Sequence, residues 1–210
     1  AHWDTRPFAD KDSTRTREPI DGANDGASGV GVLLEVARQL GERPSDVGVD
    51  IIFFDAEDYG KPEWLPATEN GYKDWCLGSQ YWAQNPHRPG YRARFGILLD
   101  MVGASDAAFH QEGTSLKYPP HIVRKVWKRA ADLGFGDRFS TSPTPMTIDD
   151  NYFISEMAGI PSANIVDYRI QVRPMGYGPF HHTHADNMSI IDKATLLEVG
   201  TTVLSVVYAP

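Results

Sequence analysis

The sequence predicts an α/β fold, a three-layer sandwich with helices flanking a central mixed, largely parallel sheet. Two observations carry that expectation. Short apolar runs alternate with segments of helical periodicity along the 210 residues. The run Ile51-Ile52-Phe53-Phe54 is apolar on both pleat faces, as a strand covered by helices on each side must be.

Residues 5–25 are polar and punctuated by Pro and Gly, a loop leading away from a strand end at His2-Trp3-Asp4. A helix opens at Asp25-Gly26-Ala27-Ser28-Gly29, with Val30, Leu33, Leu34, Ala37 and Leu40 at helical spacing. After a turn over 41–46, the strand over 47–54 ends at Asp55-Ala56-Glu57-Asp58, and residues 59–72 read as a long functional loop. A short aromatic-rich helix follows over 78–83. The apolar strand over 95–99 is stopped by Asp100, and a helix over 121–133 packs through Ile122, Val126, Ala130 and Leu133. Asp149-Asp150 precedes a helix ending at Gly159, then comes a strand over 163–166. The last helix, 193–207, presents Leu196, Leu197, Val199, Leu204 and Val207.

A chain 41% hydrophobic and 23% charged suits a single catalytic domain, residues 1–210. Its abrupt start on a candidate ligand, His2, reads as a domain without its first strands. A net charge of −8 and a pI near 5.3 argue against a nucleic-acid or anionic-membrane partner. The single cysteine, Cys76, rules out an intramolecular disulfide and reads as a small buried hydrophobe. No run reaches transmembrane length and no signal segment is visible.

Acidic and histidine positions follow or flank the apolar runs, as a zinc centre at strand ends requires: His2, Asp25, Glu57-Asp58, Asp100 and His182. Each has a plainer explanation when taken singly. His2 and Asp4 share a strand face, so Asp4 can orient His2 toward a metal, or the two are a hydrogen-bonded pair on a frayed end. Asp25 is placed to cap a helix, or to bridge two metals or bind one. Adjacent Glu57 and Asp58 repel unless a proton or cation is shared, so they are either a surface charge pair or, in a functional reading, Asp58 is a metal ligand and Glu57 the general acid and base. Asp100, behind a buried strand, needs a partner. His181-His182-Thr183-His184 offers three imidazoles, of which one easily reaches the same centre.

Together, His2-Trp3-Asp4, Gly22-Ala23-Asn24-Asp25, Phe53-Phe54-Asp55-Ala56-Glu57-Asp58, Leu98-Leu99-Asp100 and His182-Thr183 with Asp186 resemble the zinc-dependent aminopeptidase and glutaminyl cyclase superfamily. Trp75-Cys76-Leu77-Gly78-Ser79-Gln80-Tyr81-Trp82-Ala83, Asp100-Met101-Val102-Gly103 and Asp149-Asp150-Asn151 most resemble bacterial glutaminyl cyclases of the animal-like type. The resemblance implies a zinc-exopeptidase-like fold, a single zinc on Asp25, Asp58 and His182, Glu57 as proton shuttle, and Asp100 and Asp149 as acidic partners. It also implies substrates with a free N-terminus, peptides or proteins, and a periplasmic, envelope or exported location. The chain departs from the pattern twice: Asp58 replaces the second member of a glutamate pair, and His181 stands where cyclases carry tryptophan. Trp64, Trp75 or Phe180 would then supply the aromatic surface of the glutamine pocket.

Two chemistries share this ligand set. A cyclase with one zinc converts an N-terminal glutamine to pyroglutamate with loss of ammonia; an aminopeptidase with two places Asp25 between them, with His2 and Asp100 completing the second site. A third reading is a silent peptide-binding module with a structural metal.

Overall fold

The computed structural model describes residues 1–66, 71–169 and 176–209. In chain order the elements are α1 (Ala27–Glu42), α2 (Leu77–Gln84), β1 (Gly96–Asp100), β2 (Phe109–Gln111), α3 (Gly113–Lys117), α4 (Pro120–Asp132), β3 (Phe139–Pro143), α5 (Asp150–Met157), β4 (Ser162–Val166) and α6 (Lys193–Tyr208). The α/β class and the parallel pairing agree with the sequence expectation.

Strands β1 and β4 pair in parallel, from Gly96 opposite Ser162 to Asp100 opposite Val166. All five residues of β4 are buried, because helices cover both faces and the strand has no solvent side to alternate with. A Cβ on Gly96 would stand 2.5 Å from Ser162 Oγ, so a larger residue at this close start to the ladder would displace that hydroxyl. Beyond β4 the chain bridges antiparallel from Asp167 to Phe109 of β2, and β2 pairs in parallel with β3, so the sheet is mixed.

The expected strand over 47–54 forms only at its end. Phe54 donates to the Ala1 carbonyl and accepts from the Trp3 amide, both at 2.9 Å, and the Ala1 amino group donates to the Ile52 carbonyl at 3.4 Å. Val49 and Phe53 are exposed rather than covered on both faces.

Helical faces also turn differently from the simplest reading of periodicity. Helix α1 buries Val32, Leu33 and Val36 but exposes Leu34 and Ala37; α6 buries Thr195, Val199, Thr202, Val203 and Val206 and exposes Leu197. Apolar residues lie on more than one side of both helices, and their mutual packing selects the stripe. Helix α4 turns Ile122, Val123, Val126, Trp127 and Ala130 to the core but exposes Leu133, which lies past its last turn, and the Trp127 indole N–H donates to the Ser140 carbonyl of β3 at 2.8 Å.

Strands β2 and β3 and helix α3 are too short for periodicity to reveal. The capping residue of α3, Glu112, accepts from the Thr114 and Ser115 amides. The loop expected over 59–72 falls partly on residues 67–70, outside the described residues. Among the described residues no helix is long and apolar enough to cross a membrane.

The choice of stripe on α1 is testable. Leu33→Ala should cost about 2–4 kcal/mol, in the range for a buried leucine, whereas Leu34→Ala should stay within about 0.5 kcal/mol. Urea unfolding midpoints of the two variants measure the difference.

Candidate metal centre

The candidate residues sit on tight turns beside the strands. Asp100 ends β1 and is followed by Met101 at φ 49°; Ala56, before Glu57, is at 54°, and His182 itself is at 59°. Left-handed backbone is unfavourable for these non-glycine residues, and it persists here because the surrounding contacts dictate it.

Two carboxylates hold the ligand-bearing loops by the same device. Asp4 accepts from the consecutive amides of Glu57 and Asp58, each at 3.2 Å, and Asp186 accepts from those of Asn24 and Asp25 at 2.7 and 3.0 Å. Asn24 Oδ1 accepts from the Gly103 amide at 2.7 Å, fastening the Asp25 turn to the end of β1. Asp4 also faces His2 as its sequence offset suggests: its backbone carbonyl lies 3.1 Å and its Oδ1 3.5 Å from His2 Nδ1, so the carboxylate serves both the imidazole and the neighbouring loop.

Asp25 is not a helix cap. Helix α1 begins after Gly26 without a side-chain cap, which frees the Asp25 carboxylate. Oδ1 lies 3.3 Å from His2 Nε2, and Oδ2 lies 3.6 Å from His182 Nε2. Asp100 Oδ1 approaches the same His2 nitrogen at 3.2 Å, and Asp58 Oδ1 the same His182 nitrogen at 2.9 Å. Two imidazole-carboxylate lobes thus share Asp25. A Cβ on Gly26 would stand 2.6 Å from the His2 carbonyl oxygen, so this approach requires glycine.

Asp25 Oδ2 and Asp58 Oδ2 are buried without a hydrogen-bond partner among the described residues. Burial and the nearby Asp58 charge push the Asp25 carboxyl well up. Burial opposes ionisation of Asp58 too, but the facing His182 outweighs it and holds this carboxyl well down. His2 is raised despite its burial, by Asp100, Asp25 and Asp4. Donor atoms of His2, Asp25 and Asp100 all lie within 4.8 Å of one another, as do those of Asp25, His181 and His182. Orphaned oxygens in a mixed imidazole and carboxylate cluster suit a divalent cation of zinc's preferences.

Glu57 is half-buried and lines the cavity; burial, then the charges of Asp58 and Asp149, push its carboxyl well up. Asp149 caps α5 through the Asp150 amide at 2.6 Å and accepts from Asn164 Nδ2 at 2.6 Å, so packing fixes its position at the cavity wall.

Sequence reasoning missed the support beneath His182 and Asp58. Arg6 is buried; it pairs with Asp10 and donates to the carbonyls of Asp58 and Gly60, each at 2.7 Å. Its guanidinium lies 4.8 Å from the Trp75 ring, which stacks on His182 at 6.0 Å and 6°. Asp10 Oδ1 stands 3.7 Å from His182 Nδ1, where a carboxylate orients a metal-binding imidazole. The four-residue spacing of Arg6 and Asp10 was the available signal, though their loop has no regular period.

A cavity of about 490 Å³ opens over the cluster. Trp75 lines it, with Tyr72, Tyr168, Tyr177 and Met146. Trp64 and Phe180 do not. Trp64 packs against Phe8 at 5.1 Å with Arg17 over its ring, while Phe180 is buried in the core with Arg169 5.4 Å from its ring. Lys11 and His181 also line the wall, Nζ to Nδ1 at 2.7 Å, and burial lowers the pKa of both.

The sequence profile of Peptidase family M28 matches residues 1–207. The chain belongs to that family. It is 30% identical to the aminopeptidase YwaD of Bacillus subtilis (strain 168) over 99% of its length, and 30% identical to the glutaminyl-peptide cyclotransferase of Drosophila melanogaster over 83%. It spans only 39% and 51% of those two proteins. Among solved structures, a Zn-dependent exopeptidase from Parabacteroides distasonis superposes with a TM-score of 0.96 at 46% identity. The Bacteroides thetaiotaomicron glutaminyl cyclase bound to N-acetylhistamine gives 0.95 at 48%. Each comparison covers 100% of this chain and 71% of the other.

Removing the cation from beneath the centre should be severe. Arg6→Met leaves Asp10 buried without its guanidinium, with only the Glu63 amide and His182 facing it, and should cost about 3–5 kcal/mol, and adding Asp10→Asn should recover part of that loss. Urea unfolding of the single and double variants measures both.

Proposed function

We propose that the chain carries the active site of a zinc-dependent glutaminyl-peptide cyclotransferase, which converts the N-terminal glutamine of a peptide to pyroglutamate and releases ammonia. The observation that carries this reading is Glu57. It is a cavity-lining carboxylate with raised proton affinity, with an oxygen within 4.8 Å of donor atoms of His2 and Asp58. The likeness to a glutaminyl cyclase over the whole chain supports the choice of reaction.

Asp25, Asp58 and His182 would hold the zinc, whose chemistry when bound is Lewis-acid polarisation of the side-chain amide carbonyl. The free α-amine attacks the side-chain amide carbon, a C–N bond forms, and the bond to the amide nitrogen breaks. Glu57 takes the proton from the attacking amine and delivers it to the departing nitrogen, which leaves as ammonia. Asp149 and Asp100, at the acidic wall of the cavity, favour a substrate amine over an acylated end. The tyrosines and Trp75 exclude water, which is not a reactant here.

The position of Asp25 favours a second reading. One oxygen faces His2 and the other His182, the arrangement a carboxylate between two zincs would adopt in an aminopeptidase, with Asp100 completing the further site. Incubation of the pure protein with a glutamine-initiated and an unblocked leucine-initiated peptide, with zinc counted per chain, decides between them. Ammonia release with one zinc is expected. Release of the first residue with two zincs would overturn the cyclase in favour of the peptidase. In either enzyme Glu57→Gln should retain zinc and lower kcat by roughly 10²–10⁴-fold. An unchanged rate would sink both.

A further inference from the structure

The chain's single cysteine is placed with a precision that burial alone does not need. Cys76 precedes α2 with φ 55°, a left-handed conformation unfavourable for a residue with a Cβ. It holds that conformation because three successive amides, those of Cys76, Leu77 and Gly78, donate to the carbonyls of Glu57, Ala56 and Asp55 at 2.9, 3.0 and 2.9 Å. The Glu57 turn is thus zipped to the start of α2. A Cβ on Gly78 would stand 2.4 Å from the Asp55 carbonyl oxygen, so the register admits no displacement. That register puts the fully buried Cys76 Sγ 3.0 Å from Glu57 Oε1, with Asp149 in the same group of side chains.

We propose that Cys76 is a positioning residue for the proton-shuttle carboxylate: its S–H donates to Glu57 Oε1 and fixes the carboxylate's rotation toward the reacting nitrogens. The inference rests on the shuttle role of Glu57. A thiol suits the task because it is a weak donor. It restrains the carboxylate's direction while competing little for the lone pair that receives the substrate proton. Burial and the Glu57 charge push the thiol's pKa well up, so it remains S–H, a donor rather than a rival anion.

Kinetics and a spectroscopic signature test this together. Cys76→Ala should lower kcat roughly five- to tenfold, the effect of one lost modest hydrogen bond, with KM and zinc content unchanged. Cys76→Ser, which restores a donor, should recover at least half of the loss. Wild-type kinetics in Cys76→Ala, or equal losses in both variants, would overturn the inference, the latter because it marks a packing role. Independently of turnover, the one cysteine gives one S–H stretching band in the infrared. Glu57→Ala should shift that band to higher wavenumber, and an unmoved band overturns the hydrogen bond itself. Glu57→Gln separates the two levels. If it keeps activity, the shuttle reading and the role of Cys76 fall together; if it is inactive while Cys76→Ala runs like wild type, only the role of Cys76 falls.

Discussion

Mutual repulsion among buried carboxylates is the constraint on which this structure turns. Asp25, Asp58, Asp100 and Asp149 are all buried, and Glu57 stands half-buried beside them. Such a group is unstable unless opposite charge, hydrogen bonds or a cation offset it. His2 and His182 meet three of them, Arg6 pairs with Asp10 and anchors Asp58 by its carbonyl, and Asn164 with the α5 amide satisfies Asp149. Among the described residues an oxygen on Asp25 and one on Asp58 remain unmatched in this group, where a metal would sit.

Holding those groups together demands backbone rigidity, and the chain supplies it with further carboxylates. Asp4 and Asp186 each clasp two consecutive amides, so the turns that present Glu57-Asp58 and Asn24-Asp25 are held by residues from distant segments. The left-handed conformations at Ala56, Met101 and His182 are stored against these contacts. A site built this way is set before substrate arrives, which is what charge stabilisation in a reaction requires.

Two chemistries remain compatible with one scaffold because they need the same side chains. Asp25 faces both imidazoles, and either His2 and Asp100 bind each other around one metal or they bind a second. Cyclisation and hydrolysis then differ in what fills the cavity beside Glu57: the substrate's own amine or a water.

The sequence by itself determined the α/β class, the buried β1 and β4 strands, and which residues converge, because apolar runs and the acidic or histidine residues after them are local patterns. Asp25, Glu57, Asp58, Asp100 and His182 do meet, though of them only Asp100 ends a strand in the structure. Tertiary structure alone decided what each supporting group touches. Arg6 reaches Asp58 and Gly60, Asp186 reaches Asn24 and Asp25, and Cys76 reaches Glu57 across gaps of many residues, so no short window of sequence displays these partners. The same reason governs the errors at Leu34, Leu197, Trp64 and Phe180: several faces of a segment are apolar, and only the packed neighbour selects the one that is buried.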